Sequence, residues 1–182
     1  MGFRIWDLGF VNPRPRVAQE PVFVYCDESM IQIEVTNEQD ATPLDEPRLQ
    51  SAVEMILTDA GIAEAEISIA VVNDLTIRAL NRRHLNHDYA TDVLSFILER
   101  NGASLEGEII VSGDTAAGTA GEYGWSAEDE LLLYVIHGSL HLVGHDDQTP
   151  DERERMRSQE RRWLSEMGLT PNASLSPGEK PK

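Results

Sequence analysis

The chain has 182 residues, 41% of them hydrophobic, with one cysteine and a formal net charge of −17. That length favours a single domain whose core needs no staples, and Cys26 alone excludes an internal disulfide framework. The acidic balance argues against nucleic-acid binding through a general positive field, so any such partner must meet a local basic patch.

Residues 1–28, including VNPRPRVAQEP, read as a partly flexible N-terminal arm, in which PVFVYC could add a short strand. No secretory leader is read there, and the longest apolar runs are too short for a bilayer. A soluble cytoplasmic protein with no membrane partner is expected. MIQIEV alternates Ile31, Ile33 and Val35 and predicts a half-buried strand. In PLDEPRLQSAVEMILTDAG, Pro47 suits a first helical position and Gly61 a stop. AEISIAVV predicts a second strand. A helix follows with its cap at Asn73 or Asp74, and Leu75, Ala79 and Leu80 are assigned to its buried face.

TDVLSFIL predicts a third strand, Asn101-Gly102 a turn and GEIIVS a fourth strand. GDTAAGTAGEYG is a further helical candidate. Ser126 caps a strong helix, SAEDELLLYVIHGSLHLVG, with Asp129 in the capping-box position and Gly144 as its end. Thr149 and Pro150 start a last helix of mixed charge, read as a solvated face. Residues 169–182 read as a disordered tail. The whole predicts an α+β fold over residues 29–168. A small mixed sheet of about four strands packs with helices, and a metal site lies on a long helix ending in a glycine turn.

The stretch HGSLHLVGHDD, residues 137–147, carries that site. His137 and His141 are four residues apart, so on a helix they face the same way about 6 Å apart along the axis. Two such imidazoles can close on one Zn²⁺. His145 would be a third rung about 12 Å from His137 if the helix continued, and a linear ladder cannot surround one ion. The third ligand must come from chain that has turned. Gly144 is the hinge, and the spacing places Asp147 where metzincin-type enzymes set their third ligand. His145 is the alternative ligand. Asp146 is a candidate to orient a ligating imidazole from behind or, equally, to cap the turn. Gly138 stands where an HExxH protease has its general base, so that route to peptide hydrolysis lacks its base.

These residues resemble the YbeY family, single-strand-specific endoribonucleases and rRNA maturation factors. The family pattern H-G-x-L-H-L-x-G-[YH]-D-H meets HGSLHLVGHDD here, and L-N-x3-R…T-D-V-L-S-F meets LNRRHLNHDYATDVLSF at 80–96. GEIIV matches a third block, and the likeness covers roughly residues 30–167. The resemblance implies one zinc ion on His137 and His141, cleavage of single-stranded RNA and maturation of the 16S rRNA 3′ end. It also implies ribosome quality control and association with the small ribosomal subunit, with no DNA substrate. Two positions depart from it. The family's third histidine falls at Asp147, and its functional arginine falls at Leu85. Arg82 or Arg83, nearby, is the candidate phosphate contact. Two rival readings remain: a metal-dependent hydrolase of another substrate, and a non-catalytic ribosome-assembly factor with structural zinc.

Overall fold

The computed structural model describes residues 30–169. The elements run β1 (Met30–Asn37), α1 (Glu46–Asp59), β2 (Glu64–Val72), α2 (Asp74–Leu85), β3 (Val93–Asn101) and β4 (Ser104–Ser112). Then come α3 (Gly113–Tyr123), α4 (Ala127–Leu142) and α5 (Pro150–Glu166). The four strands form one mixed sheet in the order β1-β2-β4-β3. β1 and β2 run parallel, as do β2 and β4, while β3 and β4 form an antiparallel hairpin through the turn at Gly102. This is the α+β arrangement expected from the sequence. The proposed arm, its PVFVYC strand and residues 170–182 of the proposed tail lie outside the described residues.

Local chemistry starts each helix, at Asn73, Ser126 and Thr149 as the sequence predicts, and at Asp45 and Ser112 besides. Asp45, Asn73, Ser112, Ser126 and Thr149 each accept a main-chain N–H from the first turn of their helix. Thr149 and Glu152 complete a reciprocal capping box. At Ser126 the pairing differs. Asp129 takes the Ser126 hydroxyl at 2.7 Å while its own N–H is held by that hydroxyl oxygen, so the shorter carboxylate never reaches the main chain.

The sheet alternates its side chains between two cores. Ile67, Ile69, Val71, Leu105, Ile109 and Val111 face the large core, shared with α1, α4 and α5. Val72, Leu94 and Ile110 face the opposite side and meet Ile77 of α2. α4 runs through the large core: every residue from Glu130 to Ile136 is buried. A helix enclosed on all sides holds its side chains in fixed directions, which suits it to carry a metal site.

Of the expected buried face of α2, Leu80 packs against the smaller core and the other two residues are corrected. Leu75 is 78% exposed and Ala79 is exposed, while Ile77 and Asn81 point inward. At 100° per residue Leu75 lies far around the helix from Ile77. The inward place one turn on belongs to Asn81, whose Nδ2 donates to the Tyr89 main-chain oxygen at 3.0 Å. A polar residue thus holds the loop that leads into β3.

Candidate metal centre

His137 and His141 project from one face of α4, near its C-terminus. Their Nε2 atoms face each other at 3.0 Å. Each ring is oriented from behind. His137 Nδ1 donates to Glu160 Oε1 at 2.7 Å, and His141 Nδ1 donates to the His145 main-chain oxygen at 2.9 Å. With both Nδ1 atoms donating, the two Nε2 lone pairs are left to converge on one point.

Gly144 takes a φ of 100°, a backbone state that favours glycine, and turns the chain back. The turn brings Asp147 in, with a carboxylate oxygen 3.9 Å from His137 Nε2. One donor atom each from His137, His141 and Asp147 lies within 4.8 Å of the others. Two imidazole nitrogens and a carboxylate oxygen at these separations fit a divalent ion, with a coordination position left open. The turn is fastened from outside. Arg153 donates to the main-chain oxygens of Asp147 and Gln148 at 3.0 and 2.7 Å, and Arg100 donates to that of Leu142 at 3.1 Å.

The protein pushes the two imidazoles in opposite directions. Burial opposes charge on His137, but the hydrogen bond and charge of Glu160, with Asp92 and Asp147, outweigh it and raise its pKa. His141 is lowered by burial and by the neighbouring His137. His141 is thus held in the neutral form that ligation requires, while on His137 an ion competes with a proton.

Other expected residues fall elsewhere. His145 lies outside the donor group; it lines a separate small pocket with Trp163 and Asp59 and serves the site through its main-chain oxygen. Of the two roles read for Asp146, the contacts match the turn cap. Its Oδ1 accepts the Asp147 N–H at 2.8 Å, and no imidazole bond to it is found among the described residues. Orientation falls instead to Glu160, which the sequence reading missed. A signal was there: Glu160 sits inside the apolar stripe Met156, Trp163, Leu164, where an unpaired carboxylate would be costly.

The centre opens on a cleft of about 940 Å³. Thr91, Asp92, Ser95 and Phe96 form its β3 side, Tyr134 lies on α4, and Arg153, Met156 and Arg157 come from α5. α5 is therefore a wall of the cleft as well as a solvated helix. Leu85 lines the cleft, whereas Arg82 and Arg83 are exposed and lie outside its lining.

The model of a family described as Endoribonuclease YbeY matches residues 34–168. The chain belongs to the YbeY endoribonuclease family. Among relatives so named, one from Rhodopirellula baltica is 42% identical over 111 residues, covering 60% of this chain and 57% of its own length. One from Salinibacter ruber is 34% identical over 149 residues, covering 78% of this chain and 95% of its own. One from Chloroherpeton thalassium is 40% identical, covering 67% and 86%. A solution structure from Thermotoga maritima superposes with a TM-score of 0.52 at 25% identity, covering 82% of this chain and all of its own. An endoribonuclease acts on phosphodiester bonds of RNA, so YbeY membership makes this cleft the place to look for an RNA strand.

Glu160 gives a direct test of how the histidines are held. Glu160→Ala is expected to weaken metal binding about 10–100-fold, the range for losing a partner behind a ligand. Glu160→Gln keeps an acceptor for the imidazole N–H and is expected to lose only a few-fold. Competition against a chromophoric chelator reads both.

Proposed function

We propose that this chain is a zinc-dependent, single-strand-specific endoribonuclease of rRNA maturation. On this reading it works in the cytoplasm on the small ribosomal subunit, trims the 3′ end of 16S rRNA and takes part in ribosome quality control. One observation carries the chemistry: two imidazole Nε2 atoms 3.0 Å apart, each oriented through its Nδ1, with Asp147 beside them at the floor of a large open cleft. Two nitrogens and one oxygen suit zinc, and three protein ligands with an open position mark a catalytic set. A bound divalent ion would supply Lewis-acid activation at the scissile phosphate.

The chain's own residues do the rest. His137, His141 and Asp147 would hold the ion, while Glu160 and the His145 carbonyl keep the imidazoles aimed. Arg153 keeps the Asp147 turn in register. Phe96 offers an apolar ring on the cleft wall, a surface on which an unpaired base can rest and a paired one cannot. Gly138 leaves the HExxH base position without a carboxylate, which disfavours the peptide alternative.

The test sets purified protein against single-stranded RNA, duplex RNA and casein, each with and without chelator. Cleavage of single-stranded RNA alone, abolished by chelator and restored by Zn²⁺, is the expected result. Chelator-sensitive casein cleavage without RNA cleavage would sink the proposal.

A further inference from the structure

The cleft lining holds five carboxylates, Asp92, Glu130, Asp146, Asp147 and Glu160, and two guanidinium groups, both from α5. An RNA strand brings more negative charge to such a place. It needs cations on the walls as well as an ion on the floor.

The two arginines are not equivalent. Arg153, Arg157 and Glu160 follow one another at spacings of four and three, so they share one face of α5. The outer two are already engaged. Arg153 holds the main-chain oxygens of Asp147 and Gln148, and Glu160 holds His137. α5 thus grips the metal centre at two points about 10 Å apart along its axis. Arg157 lies between them, half-buried and on the cleft wall, with no hydrogen bond or ion pair among the described residues. Two other arginines of this helix are paired, Arg161 with Glu154 and Arg162 with Asp59, and the exposed Arg155 stands outside the cleft lining. A guanidinium has five donors in a rigid fork, a shape that matches a phosphate.

We infer that Arg157 is the residue that seats an RNA phosphate in the cleft, beside the metal centre. This rests on the endoribonuclease reading above. It moves the phosphate contact from α2 to α5. At the α2 end, the cleft wall is Leu85, while Arg82 and Arg83 stand outside the lining.

The experiment measures kcat/KM of the metal-loaded protein on a fluorescent single-stranded RNA oligonucleotide, at salt from about 50 to about 300 mM, together with bound metal. Arg157→Gln is expected to lower kcat/KM about ten- to hundredfold, the span for removing one charge-assisted hydrogen bond. It should also flatten the slope of log kcat/KM against log salt by about 0.7, the change when one phosphate of a single strand is no longer neutralised. Metal content should stay at the wild-type value. Arg157→Lys should restore the salt slope but only part of the rate, because it keeps the charge and loses the fork. Arg161→Gln makes the same charge change at an exposed site on the same helix and should match wild type.

A salt slope for Arg157→Gln equal to that of Arg161→Gln overturns the assignment. So does a fall in bound metal with Arg157→Gln, which would make Arg157 part of the scaffold. Wild-type protein that does not cleave the RNA at all overturns the endoribonuclease reading itself, and that result is visible before any variant is compared.

Discussion

His141→Ala is expected to empty the metal centre and abolish RNA cleavage while the fold stands. The residue is half-buried at the end of α4, and its Nδ1 bond is to a main-chain oxygen in a turn that Arg153 and Arg100 also hold. Bound metal should fall from one equivalent to a trace in elemental analysis, with the circular dichroism unchanged. His137→Ala should do the same and cost stability besides. It leaves Glu160, 5% exposed, without its imidazole partner, at about 1–3 kcal/mol for a buried acceptor so deprived. Asp147→Ala separates ligand from neighbour: as a ligand its loss should weaken metal binding beyond the roughly 10–100-fold of an outer partner. Full occupancy in that variant would show that the third ligand lies elsewhere.

Gly138→Glu is expected to destroy the fold without creating a peptidase. It would write the HExxH pattern into α4, yet the site is closed to any side chain. A Cβ there would sit 2.9 Å from a methyl of Ile109 and 3.0 Å from a methyl of Val93. Both neighbours belong to the sheet, β4 and β3 respectively, so neither can swing aside as a flexible tip could. Alanine alone should cost about 1–3 kcal/mol by overpacking. Glutamate adds a carboxylate forced into an apolar contact, enough to exceed the margin of an ordinary domain, about 5–15 kcal/mol. Urea denaturation orders the series: glycine above alanine, with glutamate insoluble or unfolded. A folded Gly138→Glu protein of wild-type stability would mean that α4 does not lie this close to the sheet.

Gly107 plays the matching part on the sheet side. Its Cβ would meet the two methyls of Leu142 at 3.1 and 3.2 Å. Two glycines, one on each surface, let α4 lie close on β3 and β4. The residue after the first histidine is therefore a packing residue, and it fixes how near the imidazoles stand to the β3 wall of the cleft.

What the sequence discloses follows from how far each interaction reaches. The His137–His141 pair is legible because helix geometry alone makes neighbours of positions four apart. Asp147 is legible because one glycine turn separates it from them. The caps at Asn73, Ser126 and Thr149 are legible because caps act within three residues. Glu160 is 23 residues from His137, and only the packing of α5 on α4 joins them. The inward face of α2 misled for a related reason. Leu75 is apolar and exposed, Asn81 polar and buried, and the Asn81 Nδ2 finds its acceptor on the main chain of Tyr89, eight residues further on. Arg82 and Arg83 are near in sequence to the position expected to hold a cation, but the helix turns them away from the cleft.

The fold-back at Gly144 has a thermodynamic corollary. His137 and His141 belong to one helix and Asp147 to the turn beyond it, so an ion held by all three would be a cross-link between segments. The unfolded chain has no such ready set of donors. The folded state should then gain stability by mass action, about 2.7 kcal/mol when free metal is a hundred times its dissociation constant. The melting temperature of this protein should climb with the free-metal concentration. Its abundance in a cell would then report how much metal that cell can spare.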